Sequence, residues 1–167
     1  MIKMNKGDII FVRGKSLKSR IVRLFDKGRF SHVAVCVSEE IILEADFFTK
    51  SHMVKFDESK YDDIEVIDLG LSDELRFMVA EIALDYVGKN YDYAQLFGYA
   101  VEKVFHCKRN LFNNPNNLIC SELVFHILDR IGILDDLQIG SEGEDLTPNQ
   151  LYDLVKYISI NNKKKSC

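Results

Sequence analysis

The chain has 167 residues, of which 47% are hydrophobic, and it carries a formal net charge of −4. These values are typical of one globular domain with a substantial core, and the negative charge argues against nucleic-acid binding through bulk electrostatics. The cysteines, at positions 36, 107, 120 and 167, contain no C-x-x-C pair, which disfavours a zinc ribbon, a redox pair and a disulfide framework.

The first half of the chain is predicted to form antiparallel strands with one early helix. Ser16 is a candidate N-cap for that helix, SLKSRIVRLF, in which apolar residues recur at helical spacing. Glu39 and Glu40 would form the turn that joins two of the strands into a hairpin. The predicted strands are IIFVR, SHVAVCVS, IILEAD, HMVKF and DIEVIDL.

The second half of the chain is predicted to be helical. The predicted helices run over residues 72–88, 91–105, 118–131 and from Thr147-Pro148 onward, with a loop over 107–117. Because the strands precede the helices instead of alternating with them, the expected fold class is α+β and not a doubly wound parallel sheet. Residues 1–158 are expected to form one domain, and the basic tail over 159–167 is expected to be disordered.

The hairpin brings two polar side chains onto one face. Alternation along a strand groups His32 with Ala34 and Cys36. Glu44 of the return strand shares their face if the apolar residues of both strands point to the core. With a turn centred near Ser38, His32 would lie directly across from Glu44, with their Cβ atoms about 5 Å apart. A carboxylate beside a histidine fixes its tautomer and stabilises the imidazolium, although a solvated hairpin face is the alternative interpretation.

Cys120 stands close to the start of a predicted amphipathic helix. With Asn116 or Asn117 as the N-cap, Cys120 falls in the first turn, where free N–H groups and the helix dipole stabilise a thiolate. Its own backbone N–H would then be available to an oxyanion. The alternative is inert packing, which is the usual role of a buried cysteine. Glu122 is expected to be a first-turn carboxylate that the helix dipole favours, and Leu123 to Ile131 supply an apolar stripe that docks on the sheet.

The order of these motifs resembles the permuted branch of the NlpC-type papain-like cysteine peptidases, to which YiiX- and YaeF-like proteins belong. The resemblance is carried by GD before the first strand, SHVAV, ILEA, G-x-x-YD and CSELV. It covers the chain from Gly7 to about Tyr157. It implies a circularly permuted papain-like fold, in which the histidine strand precedes the cysteine helix and an antiparallel sheet packs against helices.

The resemblance also implies a site. Cys120 of CSELV matches the nucleophile of the family, His32 of SHVAV matches the base, and Glu44 of ILEA matches the residue that orients the base. Tyr91, in G-x-x-YD, is similar to a tyrosine near the active site of the family. Ser121, next to the cysteine, is a further candidate for substrate or oxyanion contact.

The implied activity is hydrolysis of an amide bond, peptide or isopeptide-like, through a Cys-His-Glu triad and an acyl-enzyme, with no cofactor or metal. The expected partner is a small peptide, an amino-acid amide or an acyl substrate, and not a nucleic acid. Two alternatives stay open: a lipid esterase or acyltransferase of the lecithin-retinol acyltransferase type, and a non-catalytic binding module on the same scaffold. A zinc protein is disfavoured because the candidate ligands follow no zinc spacing; they are His32, Cys36, His106, Cys107, Cys120 and His126.

A basic stretch over residues 13–29 raises a separate question. It holds seven basic residues against Asp26 alone, a net charge of +6, which leaves −10 for the remainder of the chain. Its helix could lie on an anionic membrane or grip an anionic substrate; the alternative is a packed helix with a solvated basic face. The sequence has neither a signal-peptide pattern nor an apolar run of roughly 20 residues, so a cytoplasmic location is expected.

Overall fold

The computed structural model describes residues 2–45, 49–91, 117–137 and 146–165. Five antiparallel strands form a sheet in the order β4-β3-β2-β1-β5. The strands are β1 (Ile9–Gly14), β2 (His32–Cys36), β3 (Ile41–Glu44), β4 (His52–Lys55) and β5 (Tyr61–Ile67). Strands β1 to β4 each pair with the next strand in the sequence, which is the meander that the sequence predicts. Strand β5 is the exception, because it returns to pair with β1.

The helices follow the sheet in sequence, apart from α1 (Leu17–Asp26), which connects β1 to β2. The other described helices are α2 (Asp73–Asp85), α3 (Cys120–Arg130) and α4 (Pro148–Lys165), and short 3-10 turns lie at Glu58–Lys60 and Asp135–Leu137. Two further short strands, β6 (Asn90–Tyr91) and β7 (Asn117–Leu118), pair in parallel. The predicted α+β class is confirmed. Within the described ranges, every helix is too short or too polar to cross a bilayer.

Helix starts follow the capping chemistry that the sequence predicts. The hydroxyl oxygens of Ser16, Ser72 and Thr147 each accept a hydrogen bond from a backbone N–H three residues later. Gly88, the last residue of the helix predicted over 72–88, has a φ of +87°. This is a left-handed conformation that glycine adopts without a steric penalty.

The sheet separates two apolar clusters. The larger lies between the sheet and the helices, and its strand residues include Phe11, Val33, Val35 and Leu43, packed against α3 residues such as Leu123. The smaller lies on the opposite face and consists of Met4, Ile10, Val12, Ala34, Cys36 and Ile42. Ala34 and Cys36, which strand alternation groups with His32, are therefore buried and not part of an open solvated surface.

Three boundaries differ from the prediction. The N-cap of α3 is Ile119 and not Asn116 or Asn117. Tyr91 lies in β6 and does not begin a helix, while the predicted helix and loop beyond it fall at 92–116, outside the described residues. The tail predicted to be disordered is helical through Lys165, because the side chains of Ser159 and Asn162 donate to the carbonyl groups of Asp68 and Leu69.

Asn149, in the first turn of α4, fixes the chain just before β2. Its amide Oδ1 accepts from the N–H of Phe30 at 2.9 Å, and its Nδ2 donates to the carbonyl of Phe30 at 2.9 Å and to the carboxylate of Asp26. Gly28 makes room for this amide, since a Cβ at that position would overlap it. Phe30 is fully buried and is two residues from His32, so α4 positions the start of the histidine strand.

We therefore expect Asn149→Leu to destabilise the fold. The substitution keeps the side-chain volume but leaves the backbone groups of Phe30 without partners, and the free energy of unfolding should fall by about 2 kcal/mol. Urea denaturation followed by circular dichroism measures this change. The matched control is Gln150→Leu, which removes only an exposed hydrogen bond to Thr147 N–H on the same helix turn. An equal loss in the two variants would contradict the role assigned to Asn149.

Candidate active site

His32 and Glu44 form a hydrogen-bonded pair at the end of the hairpin. The His32 Nε2 and Glu44 Oε2 atoms are 2.8 Å apart, and the two side chains are only 16% and 12% exposed. Because a carboxylate accepts, Nε2 carries the proton that is donated to Glu44. The other ring nitrogen, Nδ1, is left to face a second partner.

The pairing register explains how these two side chains meet. Val35 lies opposite Leu43 and Cys36 opposite Ile42, so the turn is centred one residue later than the sequence analysis placed it. His32 is consequently not directly across from Glu44, as predicted, but diagonal to it. The shift moves the partner by two positions, which preserves the face. The prediction of a shared face is confirmed, and the prediction of direct opposition is wrong.

Cys120 approaches the same histidine from the helical layer. It is the first residue of α3, and its N-cap Ile119 has extended backbone angles. Cys120 is 6% exposed, and its thiol is close enough to the His32 ring to raise the pKa of that ring. Since Nε2 is bonded to Glu44, Nδ1 is the ring nitrogen left for a second partner. The structure therefore brings together the three residues that the sequence singled out as nucleophile, base and orienting carboxylate.

The electrostatics of the pair favour a charged ring. Burial opposes the imidazolium, but the charge and hydrogen bond of Cys120 and the hydrogen bond and charge of Glu44 outweigh it, and the pKa of His32 lies well above its ordinary 6.5. Burial likewise opposes the charged form of Glu44, yet its bond to His32 and the positive charges of His32, His52 and Lys60 leave its pKa below the ordinary value. Both shifts stabilise an ionised pair.

Cys36 provides the contrast. It is fully buried at the end of β2, and burial, with the charge of Asp8, raises the pKa of its thiol to about 12. A thiol of that pKa is protonated at neutral pH and is a poor nucleophile. Of the cysteines in the described residues, only Cys120 lies at a helix N-terminus beside a histidine.

A second histidine, His52, lies beside Glu44, and it was not predicted from the sequence. Its Nδ1 donates to the Lys50 carbonyl at 2.8 Å, and its Nε2 lies 3.7 Å from Glu44 Oε1. The strand register alone could have found it, because β3 and β4 pair with Glu44 directly opposite His52. His52 thereby helps to hold the pKa of Glu44 low.

Tyr91 reaches the site region through its backbone. The β6–β7 ladder pairs Tyr91 with Leu118, two residues before Cys120. The segment before Tyr91 is fastened to the start of β4: Ser51 N–H donates to the Lys89 carbonyl at 2.8 Å, and Gly88 N–H donates to the Ser51 carbonyl at 2.7 Å. Ser51 is adjacent to His52 at the start of β4, and β4 pairs with β3, which carries Glu44. These two hydrogen bonds therefore connect the segment before Tyr91 to the strand pair that holds Glu44.

The residues after Cys120 stabilise the helix start. Glu122 is buried, and its Oε2 accepts from the N–H of Ile119 at 3.0 Å, which is one half of a capping box. This agrees with the expectation of a first-turn carboxylate. Ser121 is fully buried, and its hydroxyl has no hydrogen-bond partner within the described residues. Its position at the second residue of α3 leaves its backbone N–H without an intrahelical acceptor.

The residues of the disfavoured zinc alternative do not assemble in the described structure. His126 stacks on Tyr86, with ring centroids 6.4 Å apart, and His106 and Cys107 lie outside the described residues. In the part of the chain that the structure describes, no three His, Cys, Asp or Glu side chains are grouped so as to hold a metal ion.

Comparisons with known proteins agree with this geometry. The profile of a family described as "permuted papain-like amidase enzyme, YaeF/YiiX, C92 family" matches residues 3–139. The crystal structure of a protein described as metalloprotein YiiX, from Escherichia coli O157:H7, superposes with a TM-score of 0.58 and 21% sequence identity, over 78% of this chain and 67% of that one. No curated protein matches the chain. At that identity, the YiiX structure supports the fold alone.

We expect Cys120 to be alkylated selectively at mildly acidic pH. His32 is charged at pH 6, and a cationic neighbour makes a cysteine more reactive, so Cys120 should react with iodoacetamide faster than a buried cysteine that lacks such a neighbour. His32→Ala should lower the rate at Cys120 at pH 6 more than tenfold. Peptide mass spectrometry of timed samples gives the rate at each cysteine, with buried Cys36 as the internal control. Equal rates in the wild type and His32→Ala would contradict the pairing.

Glu44→Gln should weaken the fold in a pH-dependent way. The raised pKa of His32 stabilises the fold fully below 6.5 and ceases to do so as pH rises through the folded value. The lowered pKa of Glu44 stabilises it fully above 4.5 and ceases to do so as pH falls through the folded value. The loss on substitution should therefore be greatest between pH 4.5 and 6.5, at about 1–2 kcal/mol.

Chemical denaturation at a series of pH values measures the effect of Glu44→Gln. The control is Glu40→Gln in the same hairpin, where an exposed pair with Lys55 at 2.9 Å should contribute little at any pH. A loss for Glu44→Gln that does not vary with pH would refute the charged pair.

Proposed function

The chain belongs to the YaeF/YiiX (C92) family of permuted papain-like amidases and is a cysteine hydrolase, and from that membership we propose that it cleaves an amide bond through a Cys120–His32–Glu44 triad. The observation that carries the proposal is the His32 ring, which is bonded to Glu44 through Nε2 and has a pKa that its interaction with Cys120 raises. A nucleophile, a base and an orienting carboxylate in one group of side chains are the parts that acyl transfer requires.

The first half of the proposed reaction acylates the enzyme. In the proposed resting pair, the Cys120 thiolate faces a His32 imidazolium that is protonated on both Nδ1 and Nε2, and Glu44 holds the ring in place through Nε2–H. The thiolate attacks the carbonyl carbon of the amide, a C–S bond forms, and the carbonyl electron pair moves to oxygen. As the tetrahedral intermediate collapses, the C–N bond breaks, and Nδ1–H gives its proton to the departing amine.

The second half releases the acid. Nδ1 takes a proton from water, the resulting hydroxide attacks the thioester carbon, and the C–S bond breaks to return the Cys120 thiolate and the protonated ring. The position of Cys120 as the first residue of α3 supports oxyanion binding, because the initial N–H groups of a helix lack intrahelical acceptors. The backbone N–H groups of Cys120 and Ser121 are the proposed donors, in an environment that the helix dipole makes favourable to negative charge.

Two further residues are proposed to shape the site. Tyr91 is proposed to contact the substrate, which the placement of its backbone beside Leu118 supports. His52 is proposed to hold the carboxylate of Glu44 toward His32, because its fixed Nδ1–H bond aims Nε2 at the free oxygen of Glu44. The substrate class is a small peptide, an isopeptide or an amino-acid amide.

We expect amide hydrolysis to depend on Cys120 and His32. On a panel of peptidyl and aminoacyl aminomethylcoumarin amides, Cys120→Ala should be inactive, and His32→Ala should lower kcat/KM by about 10²–10⁴-fold. Quenched reactions of the wild type should show the acyl group on Cys120 by mass spectrometry. Cys36→Ala serves as the control and should keep its activity.

A parallel panel of long-chain acyl esters separates the proposed chemistry from that of a lipid esterase. Amide cleavage with higher kcat/KM than ester cleavage supports the amidase. A strong preference for long-chain esters would replace the amide with a lipid ester as the substrate, and hydrolysis that survives in Cys120→Ala would refute the triad.

A further inference from the structure

Helix α1 presents two leucine side chains to solvent. Leu17 and Leu24 are each 72% exposed, although a surface helix of a globular protein ordinarily turns its apolar stripe to the core. The two leucines are seven residues apart, which places them about 20° from each other around the helix axis. They therefore form one outward stripe, and the sequence-based alternative of a packed helix with only its basic face in solvent is wrong for these two residues.

The opposite side of α1 faces the protein and includes polar side chains. Ser19, Arg23 and Asp26 are half-buried, as is the apolar Val22. Asp26 accepts from the backbone and side-chain nitrogens of Asn149, and Ser19 packs so closely on Gly14 that a Cβ there would overlap its hydroxyl. These contacts set the rotation of the helix, so the outward stripe is a fixed feature of the fold.

Positive charge lies beside the stripe. Arg20 is exposed and follows Leu17 by three residues and precedes Leu24 by four, so it lies on the same side of the helix. Lys27, at the left-handed C-cap, is also exposed. Within the described residues, neither Arg20 nor Lys27 has a carboxylate at ion-pair distance, whereas Arg29 is engaged by Asp63 and Glu65. Arg20 and Lys27 are available to an external anion.

We propose that α1 docks on the surface of an anionic lipid bilayer, with Leu17 and Leu24 inserted among the acyl chains and Arg20 and Lys27 at the headgroups. An outward apolar stripe flanked by cations is the pattern of helices that lie in the membrane interface. The charge distribution supports the same partner, because the segment over 13–29 is net +6 in a chain of net −4. The anionic surface would attract this segment, whereas the remainder of the chain is net −10.

The docked helix would lie next to the site. The segment that contains α1 begins after Gly14 and ends before Ser31. A hydrogen bond joins its two ends, with Gly14 N–H donating to Ser31 Oγ at 3.1 Å, and Ser31 is followed directly by His32. Docking of α1 would therefore hold Gly14, Ser31 and the adjoining His32 close to the membrane. The docking proposal does not depend on the proposed amide hydrolysis.

Sedimentation of the full chain with vesicles tests the proposal. The protein should pellet with vesicles of phosphatidylglycerol and phosphatidylcholine at low salt, bind at least tenfold more weakly at 0.5 M NaCl, and remain in solution with phosphatidylcholine alone. Leu24→Asp and Arg20→Gln should each lower the binding constant about tenfold or more. Their matched controls are Leu84→Asp, at a leucine that is 60% exposed on α2, and Lys164→Gln, at an exposed lysine of α4.

The outcomes are distinguishable. Leu17 and Leu24 are exposed, so their variants should keep the circular dichroism spectrum and the Cys120 alkylation rate of the wild type. Absence of binding to anionic vesicles, or an equal loss in Leu24→Asp and Leu84→Asp, would overturn the proposal. A wild type that is dimeric by sedimentation equilibrium, with a monomeric Leu24→Asp and no vesicle binding, would instead identify the stripe as a contact between two copies of the chain.

Discussion

The hydrogen bond between His32 Nε2 and Glu44 Oε2 is the constraint on which the site depends. It joins two strands of one hairpin at 2.8 Å in a largely buried setting, and it leaves a single nitrogen, Nδ1, for the thiol of Cys120. A buried carboxylate and a buried imidazole are each unfavourable alone, but as a pair each stabilises the charged form of the other. The folded structure therefore keeps the positive charge of His32 near the Cys120 thiol.

Parts of the chain that are distant in sequence hold this pair in place. Asn149 of α4 fixes the backbone of Phe30 ahead of His32, and Ser51 fastens the start of β4, with His52, to the segment that leads to Tyr91. The capping bond from Glu122 to Ile119 fixes the start of α3 and hence the position of Cys120. Each of these bonds involves backbone groups, so the positions of Cys120, His32 and Glu44 depend on contacts between parts of the chain that are distant in sequence.

The sequence predicted the pairing of His32 with Glu44 better than it predicted the surroundings of that pair. The shared face of His32 and Glu44 follows from strand parity, which tolerates a register error of two residues, and this is why the pair was found although the turn was misplaced. His52, the partner of Glu44 on β4, could have been found only from the β3–β4 register, and the sequence between these strands carries no turn motif that predicts this register. The outward stripe of α1 was also beyond prediction, because an amphipathic pattern does not reveal which side the protein covers, and here Asn149 and Gly14 bind the polar side.

The central claim, that His32 is an imidazolium paired with the Cys120 thiolate and oriented by Glu44, is tested most directly by ¹⁵N NMR of the His32 ring. The account predicts that both ring nitrogens are protonated at pH 7, with a pKa well above 6.5 that falls when Cys120 is replaced by alanine. A ring that titrates near 6.5 in the wild type, and does not respond to Cys120→Ala, would contradict the account.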